Sequence, residues 1–174
     1  GYQPTLGMRQ NVLHVFDQTN TTNWYHPLGF AYGPDGVYGD NVELERAVPA
    51  IGNPDSDCAD TYSCDCPQYK LNGENLVTDE TDPEDFGLDE YEGFWFSGGR
   101  DEWIDAGNFT VEVNITDDST NEIFAFCHIH NQMSFRIKIL NAEGEMKNSV
   151  TEIEIPYEYV ERDDFDVNCG TFNV

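Results

Sequence analysis

The feature that most constrains this chain is a set of short runs, at residues 12–16, 109–115, 122–127, 134–140 and 151–160, in which β-branched and aromatic residues recur. Each run is strand-length, and most are separated by clusters of Gly, Pro, Asn or Asp, the pattern of half-buried strands joined by turns. No segment keeps a 3.6-residue apolar period over helical length, so helix is expected to be a minor component. Several short strands with polar turns bury their apolar faces best by stacking two sheets, and the sequence therefore predicts an all-β sandwich. A length of 174 residues suits a single domain spanning 1–174, large enough for one core and small for two.

Residues 49–91 read differently. They hold Cys58, Cys64 and Cys66, four prolines and the dense acidic run 79–85. A stretch of this composition predicts a long acidic insertion stapled by disulfides, looping out of the core. Residues 141–174 are expected to form a C-terminal extension carrying Cys169. Cys64 and Cys66 have one residue between them, and a disulfide closing so small a ring is strained. The expected bridges therefore join Cys58 to one of that pair and Cys169 to the other. Asn20, Asn108 and Asn114 each open an Asn-x-Thr sequon, which together with the clustered cysteines points to a glycosylated chain in an oxidising, extracellular setting.

Charge narrows the function classes. Eight Lys and Arg face 34 Asp and Glu, a formal net charge of −26. Nucleic acid and anionic membrane surfaces would meet repulsion, which leaves cations and basic partners. An aromatic content of 13% separates the chain from disordered acidic tails. The acidic run raises calcium, but it lacks the spacing of a calcium-binding loop, so only weak binding of divalent ions is expected there.

Five cysteines leave one over, and Cys127 is the one that stands apart, in Cys127-His128-Ile129-His130-Asn131-Gln132-Met133. Thiolate, imidazole and thioether are the donors that copper accepts, and two His with one Cys and a weak axial Met describe a blue-copper electron-transfer site. A second histidine must come from elsewhere in the chain. His26, in the turn-rich segment Trp24-Tyr-His-Pro-Leu-Gly-Phe-Ala-Tyr-Gly-Pro-Asp-Gly36, is the candidate. Strand alternation alone does not choose between His128 and His130; the loop spacing favours His130. His14 sits inside a predicted strand and is given a structural role. A cysteine nucleophile with a neighbouring His as base is disfavoured, because neighbours in one short run rarely reach the required geometry.

With these residues in view, the sequence resembles the cupredoxin family at His26-Pro-Leu-Gly-Phe30 with the following Pro34-Asp-Gly36, and at Cys127-x-x-His130-x-x-Met133. The resemblance covers residues 11–38 and 94–140. It implies a Greek-key sandwich with one copper ion at one end, His26, Cys127 and His130 as equatorial ligands and Met133 as the axial one. Only Asn131 and Gln132 separate His130 from Met133, a shorter interval than is usual in the family. The function implied is one-electron transfer or copper handling with a cationic redox partner. The long insertion, the sequons and the tail suggest the alternative of a structural or adhesive module in an extracellular assembly, with the metal site vestigial or stabilising.

Overall fold

The computed structural model describes residues 4–39, 41, 44, 67–76, 88–96 and 98–147. They form eight strands, β1 (Leu6–Arg9), β2 (His14–Asp17), β3 (Leu28–Ala31), β4 (Gln68–Leu71), β5 (Glu74–Asn75), β6 (Phe109–Val113), β7 (Glu122–Cys127) and β8 (Ser134–Leu140). Two short helices, α1 (Leu88–Phe96) and α2 (Arg100–Ala106), lie between β5 and β6. The strands make two sheets of four, in the orders β1-β8-β7-β3 and β2-β6-β4-β5. Only the β1–β8 pairing is parallel; the other pairings are antiparallel. No helix among the described residues is long and apolar enough to cross a membrane.

The predicted mostly-β character holds, and its cause is visible along β6. Phe109, Val111 and Val113 are buried while Thr110 and Glu112 are not, the two-residue period of a strand with one face on a core. One hydrophobic cluster joins Met8, Phe30, Ile123, Ala125, Ile137 and Ile139 of the first sheet to Tyr69, Phe109, Val111 and Val113 of the second. Across the two sheets, the rings of Phe16 and Phe30 meet edge-on with centroids 5.0 Å apart. β7 departs from alternation and is buried at every position. It lies inside its sheet, between β8 and β3. On its outer face Arg136 pairs with Glu122 at 2.5 Å and stacks over Phe124, so that face is covered by a buried ion pair.

Several expectations need correction. Residues 49–91 are not all loop: 68–71 and 74–75 are β4 and β5, and α1 begins at Leu88. Tyr69, Leu88 and Tyr91 from this region are buried in the core. The acidic sequence around them hid this, because a four-residue strand and one isolated aromatic leave little periodic signal. Residues 93–96 belong to α1, and Trp95 is its buried anchor. The start of the C-terminal extension is also part of the fold: a turn at 141–145 returns the chain so that Met146 bridges to Leu140. The predicted strand at 151–160, the acidic run 79–85, Cys58, Cys64, Cys66 and Cys169, and with them the disulfide pairings, lie outside the described residues.

Candidate metal centre

The register of β3 on β7 sets Leu28 opposite Cys127, and the His128 amide donates to the Pro27 carbonyl at 3.1 Å. This pairing places His26, two residues before Leu28, beside the end of β7. Cys127 is the last residue of β7, and the chain then bends through residues 128–132. The bend breaks strand alternation and returns His130 to the cysteine. The result is a convergent group: Cys127 Sγ lies 3.4 Å from His26 Nδ1 and 3.3 Å from His130 Nδ1, and the two imidazole centroids are 4.8 Å apart. Donor atoms bound to one first-row ion at about 2.0–2.3 Å are held about 3.5 Å from one another. The observed spacings fit that requirement, and the three residues together could hold a metal ion.

Of the two local histidines, the bend brings only one to the thiol. His128 turns away from the thiol to Glu92 of α1, with Nδ1 2.5 Å from Oε2, and its Nε2 lies 3.4 Å from Asp89 Oδ1. His130, not His128, joins the cysteine. His14 is engaged with the backbone of Arg9, as a structural residue would be. Met133 is beside the group in the chain trace, since its carbonyl accepts from the Cys127 amide at 3.0 Å, but the residue is 46% exposed. Of the sequon asparagines, Asn20 and Asn108 are exposed and Asn114 is half-buried.

Three residues outside the predicted set position the group. Asp35, in the Pro34-Asp-Gly36 turn, is buried, and its carboxylate accepts from the amides of Gln132 at 2.5 Å and Met133 at 3.2 Å. It ties the ligand loop to the segment after β3. Its φ of 67° is a conformation that Asp tolerates better than most residues. The adjoining Gly36 is required for a second reason: its φ is positive, and a Cβ there would overlap the Phe126 ring. Gln18 is buried at the end of β2, donates to the His26 carbonyl at 2.9 Å and accepts from the Leu28 amide at 3.3 Å. Tyr91 of α1 donates its hydroxyl to the same Gln18 oxygen at 3.0 Å, and burial pushes its phenol well up, so it stays a donor throughout the ordinary pH range. Pro-Asp-Gly could have been read as a turn from sequence. Gln18 and Tyr91 carry no comparable signal.

Asp35→Ala leaves two amides of the ligand loop without their charged acceptor, a loss of about 2 kcal/mol, while Asp35→Asn keeps one acceptor oxygen and the backbone preference. Urea unfolding should rank the proteins parent, Asn, Ala, and metal affinity should fall in the same order. Equal midpoints for the parent and Asp35→Ala would show that the turn, not the carboxylate, holds the loop.

Protonation follows from burial. Removal from water pushes the Cys127 thiol above its ordinary value of 9.0, with backbone hydrogen bonds from Ile129 and His130 opposing the shift and the charges of Glu92 and Asp35 adding to it. Burial, followed by repulsion from His130, lowers His26 below its ordinary 6.5. At neutral pH the metal-free group is therefore a thiol beside a neutral His26 imidazole. The raised thiol contributes stability that is complete below pH 9.0 and is lost as pH rises through the folded value. The lowered imidazole contributes stability that is present above pH 6.5 and is lost as pH falls through the folded value. Thermal melts of the metal-free protein should show a plateau between these limits and a decline on both sides. Binding of a metal at neutral pH should release about one proton, the thiol's. Calorimetry in buffers of different ionisation enthalpy reads that number, and a value of zero would mean the thiol is not a ligand.

Compared with known proteins, the chain matches no family model, no curated protein and no solved structure, so the group formed by His26, Cys127 and His130 is interpreted from its own geometry.

Proposed function

We propose that this is a cupredoxin-like copper protein, its two sheets connected in Greek-key fashion, that binds one copper ion through His26, Cys127 and His130. The reading rests on the approach of two imidazole Nδ1 atoms to within 3.4 and 3.3 Å of one thiol sulfur. A single thiol proton can satisfy only one of two imidazole acceptors, so in the metal-free state the other ring must present its N–H to the sulfur. A cation bound by all three atoms removes that asymmetry. Thiolate with imidazole is a donor set that suits both Cu(I) and Cu(II), and what copper would supply is one-electron redox chemistry. Met133 would be the axial ligand in this proposal, which requires its exposed side chain to turn inward to the metal from a loop already tied to Cys127 through the backbone.

The residues around the group supply the rest of the function. Asp35 and Gln18 hold the two ligand-bearing segments in one arrangement, so a change of oxidation state would move the protein little. Cys127 is 6% exposed, which shields the sulfur from oxidation, while the half-buried His26 and His130 leave a route for electrons or for copper transfer. The charge of −26 favours approach of a cationic redox partner or copper donor. The proposed setting is extracellular, where the sequons and clustered cysteines of the sequence have a use. The test is metal analysis paired with the visible spectrum of the copper-loaded protein. The expected result is one copper per chain with an intense thiolate-to-copper band. A copper-loaded protein lacking that band, with Cys127 still titrating as a free thiol, would refute the proposal.

A further inference from the structure

A second group of convergent ligand atoms lies beyond the cysteine. Asp89 and Glu92 are three residues apart on α1, so they share one face of the helix. His128 faces them from the bend after β7, with Nδ1 2.5 Å from Glu92 Oε2 and Nε2 3.4 Å from Asp89 Oδ1. One donor atom from each of the three residues can be chosen so that all lie within 4.8 Å of one another.

The elements that set this group also hold it rigid on one side and open on the other. His128 is fixed by its own backbone, donating to the Pro27 carbonyl at 3.1 Å and accepting from the Tyr38 hydroxyl at 2.9 Å, and its ring packs edge-on to Phe126. Its side chain is 13% exposed and that of Glu92 is 25% exposed, whereas that of Asp89 is 80% exposed. An ion could enter from the Asp89 side, drawing that exposed carboxylate inward, and complete its coordination with water. Acidic residues in the first turn of a helix have an ordinary role against the helix dipole. That role accounts for Asp89, in the first turn of α1, but not for Glu92 or for an imidazole from a different part of the chain set against both.

We infer that Asp89, Glu92 and His128 form a second metal site, separate from the cysteine site, that takes one divalent ion of the zinc type. Two carboxylates and one imidazole form a nitrogen and oxygen donor set of the kind zinc accepts, with an open position for water. They include no thiolate, so the site discriminates against Cu(I) and complements the soft donor group around Cys127. The net charge of −26 attracts divalent ions generally. What distinguishes this site from that background is the imidazole and a stoichiometry of one.

The experiment uses the full chain with Cys127→Ser, which disables the cysteine site, and titrates Zn²⁺ by calorimetry while the histidine ring resonances are followed by NMR. The expected result is one Zn²⁺ bound above the diffuse background, with the His128 ring resonances shifted and those of His26 and His130 unchanged. Glu92→Gln and, separately, His128→Gln in the same background should each weaken that step by at least about tenfold, with far-UV circular dichroism confirming that the fold is kept. No single-site step, a step that survives Glu92→Gln at full affinity, or binding that leaves the His128 resonances in place would each overturn the inference. The outcome is independent of the copper proposal, which is read from the thiolate band of the parent protein.

Discussion

Cys127→Ser is expected to abolish the thiolate-to-copper absorption of the loaded protein and to weaken Cu(I) binding by more than about a hundredfold. The serine hydroxyl is a hard donor and does not ionise at neutral pH, so it cannot replace a soft thiolate between two imidazoles. It can, however, hydrogen-bond to the same Nδ1 atoms that now lie 3.4 and 3.3 Å from the sulfur, so the loss should be one of metal chemistry and not of fold. Two histidine variants sharpen the result. His130→Gln should reduce affinity and shift the spectrum, because it removes one of the two imidazoles. His128→Gln should leave the thiolate band intact, because that ring is directed to Glu92 and Asp89. A reversal of these two, with His128→Gln damaging the band and His130→Gln sparing it, would show that the bend after β7 is arranged differently around the metal. Absorption spectra and competition with a copper chelator measure all three variants.

The cysteine group was legible in the sequence because its chemistry is local. Cys127, His130 and Met133 lie within one short run, and His26 is one of only four histidines in the chain. Strand alternation could not decide between His128 and His130, since the deciding feature is a bend, and a bend of residues with no glycine or proline leaves little trace in sequence. The positioning residues were harder still. Gln18 reaches the His26 carbonyl across eight residues, and Tyr91 reaches Gln18 across 73; such contacts exist only once the sheets have formed. Asp89 and Glu92 were obscured by abundance, for among 34 acidic residues no pair is conspicuous until an imidazole is placed against it.

The fold divides in a similar way. Runs at β6, β7 and β8 were long enough, at five to seven residues, for β-branched and aromatic residues to register as strands. β2, of four residues, registered through the run at 12–16, whereas β1, β3 and β4, also of four, and β5, of two, did not. At that length pairing with neighbours decides the structure and intrinsic preference does not. In β3 the sequence Leu-Gly-Phe-Ala carries a glycine, which weakens a strand in isolation. Here it is required, because a Cβ at Gly29 would overlap Leu88 and Phe126. The close approach of α1 to β3 thus explains a residue that made the strand hard to see.

That approach also determines the largest expected loss of stability, from Trp95→Ala. Trp95 is fully buried on α1, with ring centroids 4.7 Å from Trp103, 5.4 Å from Phe109 and 5.8 Å from Tyr91. Removing the indole leaves a cavity among aromatic rings that cannot all move inward, a cost of about 3–5 kcal/mol, against a total stability of about 5–15 kcal/mol for domains in general. Trp95→Phe keeps most of the volume and should cost clearly less. The effect should reach the metal group through α1. The helix supplies the Tyr91 hydroxyl that holds Gln18, and Gln18 in turn holds the His26 segment. If the helix loosens before the sheets do, Trp95→Ala should weaken copper binding even where the protein is still folded, and Tyr91→Phe should reproduce part of that weakening with a much smaller loss of stability. Chemical denaturation and copper affinity measured on the same samples separate the two effects. A Trp95→Ala protein with unchanged copper affinity under folded conditions would show that β3 and β7 alone position His26.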